Sequence, residues 1–110
     1  MPEFRQPEEM AIDDEGDGWA VRTLADSSHV AGLAMAAKRW TLDGGARTPR
    51  RRPHRGAERF LYVIHGEGAA VIDGERLRLD PECVVWLEPD DAYSLEAGPG
   101  GLEVLEAHAD

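Results

Sequence analysis

Six arginines, Arg47, Arg50, Arg51, Arg52, Arg55 and Arg59, stand close together in the chain and make up half of its twelve basic residues. A guanidinium presents a planar fork of N–H donors that matches carboxylate or phosphate, so this stretch carries the chemistry of an anion site. His54 lies among them and adds a group that titrates near neutrality. The alternative for Arg47, Arg50, Arg51 and Arg55 is a solvated loop whose charges pair with carboxylates. The acidic stretch Glu8, Glu9, Asp13, Asp14, Glu15 and Asp17 supplies such partners. For His54 the alternative is a partly exposed loop imidazole. Nucleophilic chemistry has less support. Ser94 has no visible base partner, so no hydrolytic triad is drawn. Cys83, the lone cysteine, sits in the apolar run Cys83-Val84-Val85-Trp86-Leu87, where a free thiol behaves as a small buried hydrophobe. His65 reads as a surface residue at a strand end, and His29 and His108 have no partner at metal-ligand spacing.

The elements that must position these groups are short strands. Apolar segments at 19–25, 30–42, 58–65, 68–73, 75–79, 83–87, 92–96 and 102–108 are separated by turn residues. That spacing predicts an all-β sandwich or barrel of about eight strands. Asp73-Gly74 supplies the positive φ angles of a type I′ hairpin, which pairs Val71-Ile72 with Leu77–Leu79. Glu88-Pro89-Asp90-Asp91 ends one strand and starts the next. The Ala-rich stretch 31–37 favours helix by itself, and the surrounding β pattern overrides it. Trp40, Trp86, Phe60 and Tyr62 have strand spacing and are expected in the core or an interface. Residues 1–18 read as an acidic N-terminal arm, irregular or ordered only against the rest, and 19–110 as a single domain.

Composition narrows the function. A net charge of −10 argues against non-specific nucleic-acid binding, because an acidic surface repels phosphate. No apolar run is long enough to span a bilayer, and the charged, Pro-interrupted start lacks the apolar stretch of a secretion signal, so a soluble cytoplasmic protein is expected.

The run from Gly45 through Pro53-His54, then Glu58-Arg59-Phe60-Leu61-Tyr62-Val63-Ile64-His65-Gly66-Glu67-Gly68, then Asp73-Gly74-Glu75 and Val84-Val85-Trp86-Leu87-Glu88-Pro89, resembles the cupin superfamily, in particular its small single-domain members. The resemblance covers about 40–108 and implies a small antiparallel jelly-roll barrel. It also implies a divalent metal held inside by a His-x-His pair, a Glu shortly after and a His on a later strand, a set that suits Fe, Mn, Ni or Zn. This chain departs from that pattern. Arg52 stands where the first His belongs when counted from His54, and Tyr93 takes the place of the late His. The Glu position has two readings: Glu58 by the count from His54, Arg59 by the count back from Gly66. Side chains alternate faces along a strand, so one residue of slip exchanges which of the two faces the interior. The count from Gly66 is preferred, since 60–64 offers no Gly or Pro to host a bulge and Arg55-Gly56 can absorb length in the loop.

With Arg52, His54, Arg59 and Tyr93 inside, the metal site becomes a cationic pocket rich in hydrogen-bond donors, which suits an anion. Three functions follow. The first is a cupin without the usual metal that binds a small anionic molecule, as a sensor or as an enzyme with His54, Tyr93 and Glu58 as acid–base groups. The second is a metal-dependent enzyme of dioxygenase or isomerase type that uses an irregular set, His54, Glu58 and Tyr93; nearby arginines would repel its cation. The third is a non-catalytic structural or partner protein. A homodimer is expected and is compatible with all three.

Overall fold

Along Arg59-Phe60-Leu61-Tyr62-Val63 every second side chain falls on one face of an extended strand. Leu61 and Val63 are wholly buried there, while Phe60 and Tyr62 are half-exposed on the other face. The same rule builds the rest of the chain. The computed structural model describes residues 12–25, 35–51 and 58–109. They form seven strands: β1 (Ile12–Gly16), β2 (Trp19–Ala25), β3 (Met35–Leu42), β4 (Arg59–Ile72), β5 (Glu75–Leu79), β6 (Val84–Leu87) and β7 (Tyr93–Ala109). Among the described residues no helix is long and apolar enough to cross a membrane.

All pairings are antiparallel, in the order β1-β2-β3-β7-β4-β5, with β6 also on β4. The two long strands take part in two groups. The first half of β4 pairs with β6 and with the second half of β7, Arg59 lying opposite His108 and Val63 opposite Val104. Its second half pairs with β5 and with the first half of β7, Ala70 lying opposite Leu95. This is the all-β jelly-roll arrangement in which long strands serve both sheets.

The sequence pattern divides what the structure joins. The expected strands 58–65 and 68–73 are one strand, β4, and 92–96 and 102–108 are one strand, β7. Gly66 and Gly68 read as punctuation, yet they let β4 bend against β7 while the pairing resumes beyond them; the ladder shifts register between Gly66 and Gly68. The expected strand 30–42 is described from Met35 onward. Five residues of the acidic arm form β1, which has no apolar alternation and is ordered by pairing with β2.

Two turns follow local chemistry. Asp73 and Gly74 have φ of 50° and 82°, as a type I′ hairpin requires. In the other turn the Asp91 N–H donates to the Glu88 carbonyl at 3.0 Å, and the Glu88 N–H donates to Asp91 Oδ2 at 2.8 Å. The core is Val21, Trp40, Leu42, Leu61, Val63, Leu79, Leu87, Tyr93, Leu95, Leu102 and Val104, with Cys83 packed at its edge. Trp86 is 70% exposed and packs against Phe60 across the β4–β6 ladder, with ring centroids 5.3 Å apart and planes tilted by 54°.

Candidate functional site

Arg59 opens β4 on the same face as Leu61 and Val63 and is 2% exposed. Its predecessor Glu58 is exposed. The interior position therefore belongs to a guanidinium, which interrupts an otherwise apolar face. Nη2 of Arg59 donates to the Asp91 carbonyl at 2.5 Å, an acceptor held in place by the Glu88–Asp91 turn. Its Cζ lies 5.5 Å from the centre of the Tyr93 ring, a cation–π arrangement. Nε has no hydrogen-bond partner among the described residues. Burial lowers the pKa of Arg59, the charges of Glu106 and Asp91 oppose that shift, and Arg51 adds to it.

Tyr93 opens β7 and is wholly buried, its ring edge-on to Trp40 at 6.3 Å and 76°. Its hydroxyl donates to Glu106 Oε1. Further along β7 the inward positions run Leu102, Val104, Glu106, His108, so the alternation that fills the core ends in a carboxylate and an imidazole. Both are buried, at 3% and 7% exposed, and Glu106 Oε2 lies 3.9 Å from His108 Nδ1. Four polar side chains, from Arg59, Tyr93, Glu106 and His108, thus occupy one end of the interior. Leu61, Leu95 and Val104 pack the core beyond them.

The rim of this end is cationic. Arg51 exchanges two backbone hydrogen bonds with Tyr93, at 2.7 and 3.0 Å, which sets its guanidinium 5.2 Å from the Trp40 ring centre. Lys38 lies across from Glu106 in the β3–β7 ladder, and its Nζ reaches Asp13 Oδ2 of β1 at 2.7 Å. Burial of the Asp13 carboxyl, which raises its pKa, is outweighed by the hydrogen bond and charge of Lys38, and the carboxyl is held below its ordinary value. A depressed acid adds stability that is present above its unfolded pKa and is lost as pH falls through the folded one. Replacing Lys38 by Met is expected to cost about 0.5 kcal/mol at pH 7, the range of a partly exposed pair. Melting curves at pH 7 and pH 3 should show that deficit at the higher pH and little of it at the lower. An equal deficit at both would assign it to packing instead.

Of the residues singled out in the sequence, the structure brings Arg59 and Tyr93 together. Arg52 and His54 lie outside the described residues. Glu58 is exposed and directly precedes β4, on the opposite phase from the buried Arg59. Arg50 is exposed and faces Asp73 at 3.8 Å, the solvated ion-pair reading of the arginine cluster. Glu106 and His108 were missed, although two polar residues on the inward phase of Leu102-x-Val104 were visible in the sequence.

The family's metal is tested by the donor set. Among the described residues no three His, Cys, Asp or Glu side chains stand together to hold a cation. The interior offers Glu106 and His108, with the positive charge of Arg59 close enough to sense Glu106. These side chains do not fit the usual divalent site, and no step is routed through a metal.

Comparison with known proteins agrees with the fold. The family model described as Cupin domain matches residues 38–106. An RmlC-like cupin from Shewanella frigidimarina superposes with a TM-score of 0.75 at 19% identity, covering 99% of this chain and 91% of that one. The polyketide cyclase RemF from Streptomyces resistomycificus gives a TM-score of 0.78 at 17% identity, covering 99% and 80%. A salicylate 1,2-dioxygenase from Pseudaminobacter salicylatoxidans gives 0.68 at 19% identity over 83% of this chain and 26% of its own. A search of curated protein sequences finds no match. At such identities the superpositions establish the fold alone. Together with the family match over most of the strands, they place the chain in the cupin family.

Proposed function

We propose that the chain binds a small anionic molecule, a carboxylate above all, at the Arg59 end of the barrel interior, without the family's usual metal site. The observation that carries this reading is Arg59 itself: a guanidinium 2% exposed whose Nε–H has no acceptor among the described residues. A buried donor left without a partner costs about 1–3 kcal/mol. A carboxylate accepts two parallel N–H donors from such a fork and removes that cost.

Glu106 changes the electrostatics expected from sequence. It offsets one positive charge and engages the Tyr93 hydroxyl, so Tyr93 acts on a ligand through its ring and through Glu106. Arg59, Arg51 and Lys38 stand against Glu106, Asp13 and Asp91 at this end, so the pull on an anion comes from the free donor of Arg59 and not from a net positive charge. The polyketide cyclase and the dioxygenase of the same fold carry different chemistries, so the assignment rests on these side chains and not on the fold.

Thermal melts with formate, acetate, pyruvate, 2-oxobutyrate, 2-oxoglutarate, benzoate and phosphate test the reading. A ligand present at about 100 times its Kd stabilises by about 2.7 kcal/mol. For a domain of this size that raises the melting temperature by roughly ten degrees or more. The shift should disappear in Arg59→Ala and shrink in Arg59→Lys, which keeps the charge but not the fork. A wild-type protein unmoved by every anion would sink the proposal.

A further inference from the structure

Anion binding through Arg59 leaves its neighbours unexplained. Tyr93, Glu106 and His108 are all buried on β7, in a fold whose other inward positions on that strand are Leu95, Leu102 and Val104. Burying a carboxylate is expensive unless it is hydrogen-bonded and paired. Apolar residues would close this end of the barrel with less strain on the fold, yet three polar groups converge beside the guanidinium.

Their atoms have separate tasks. The Tyr93 hydroxyl donates to Oε1 of Glu106, which fixes the rotation of the carboxylate and commits that oxygen. The other oxygen, Oε2, faces His108 Nδ1 across 3.9 Å, a gap longer than a hydrogen bond. Oε2 is thus the oxygen that the Tyr93 hydroxyl leaves uncommitted, on a carboxylate whose charge acts on the buried Arg59 guanidinium. An anion bound to Arg59 would lie near this carboxylate, since the Glu106 charge already acts on that guanidinium.

From this arrangement we infer that Arg59, Tyr93 and Glu106 form a proton-transfer site for small 2-oxo carboxylates, an inference that rests on the carboxylate-binding reading above. Arg59 holds the substrate carboxylate and carbonyl oxygen. Oε2 of Glu106 takes a proton from the carbon next to the carbonyl. The C–H bond breaks heterolytically, and its electron pair becomes the C=C bond of an enolate whose oxygen charge faces the N–H donors of Arg59. Glu106, now a carboxylic acid, returns the proton to the same carbon. The step consumes no oxidant, reductant or second reactant.

The test is exchange with solvent deuterium. The full chain is incubated in D2O with pyruvate, 2-oxobutyrate or 2-oxoglutarate, and loss of the C3 protons is followed by proton NMR. A positioned general base contributes about 100-fold or more. Exchange of at least one acid should therefore exceed the protein-free rate by about that factor. Glu106→Gln keeps an acceptor for Tyr93 and should abolish exchange while the same acid still raises the melting temperature. Tyr93→Phe frees the carboxylate to rotate and should slow exchange with binding kept, an independent check should Glu106→Gln fail to fold. The inference is overturned if these acids give an Arg59-dependent melting shift with no exchange above the protein-free rate, or if Glu106→Gln exchanges as fast as the wild type; anion binding then stands. It is also overturned if only other anions shift the melt. If no anion does, both readings fall together.

Discussion

Gly66→Ala and Gly68→Ala are each expected to remove more than about 4 kcal/mol of stability, enough to unfold most of the population of a small domain with a total of about 5–15 kcal/mol. A Cβ on Gly66 would lie 2.2 Å from the Gly101 carbonyl oxygen, and one on Gly68 would lie 2.0 Å from that of Glu96. Both obstacles are backbone atoms of β7, so no side-chain rotation relieves them. Gly66 carries the further demand of φ +85°, which an L-residue adopts at a cost of about 1–2 kcal/mol. These glycines sit where β4 changes partners from the second half of β7 to the first, and moving either chain aside breaks ladder hydrogen bonds on both sides. Gly74→Ala is the control. Its φ is +82°, but nothing lies within 4 Å of the added methyl, so it should lose only the conformational cost of about 1–2 kcal/mol. Urea unfolding followed by tryptophan fluorescence separates the cases. A Gly68→Ala midpoint within error of the wild type would refute the close approach on which the bend depends.

Those same glycines show what the sequence made legible and what it withheld. The strand pattern identified β2 and β5 to the residue and both turns by their chemistry, because alternation and Asp-Gly or Pro-Asp signals are local. Gly66-Glu67-Gly68 and the glycines Gly98 and Gly101 resemble loop punctuation, and only the facing strands reveal that they are places of close backbone approach. β1 was hidden for a different reason: Ile12–Gly16 has no buried face, and its order comes from β2. In the site, the inward phase of Arg59 followed from counting along an uninterrupted strand. Glu106 and His108 lay on the inward phase of β7, but spacing along one strand does not reveal that a tyrosine from its far end and an arginine from β4 meet them. That convergence is a product of the bend in β7 and of the Arg59–His108 register.

Arg59→Met is expected to destabilise the protein by about 3–5 kcal/mol at pH 7.5, although methionine fills similar space and removes a buried cation that is costly by itself. The loss comes from what remains. Glu106, at 3% exposed, keeps the Tyr93 hydroxyl and faces His108, but loses the guanidinium that balances its charge. Lys38 lies across the ladder from it, yet that ammonium is engaged by Asp13. Pairing Arg59→Met with Glu106→Gln removes both charges and should restore most of the lost stability at every pH, because replacing a buried pair together is often close to neutral. Chemical unfolding of the four proteins at three pH values completes the cycle. If the double variant is as unstable as Arg59→Met alone, Arg59 serves packing and not Glu106, and the charge balance drawn for this end of the barrel is wrong. If it is restored, the buried pair contributes little net stability, and its place in the core is not explained by stability.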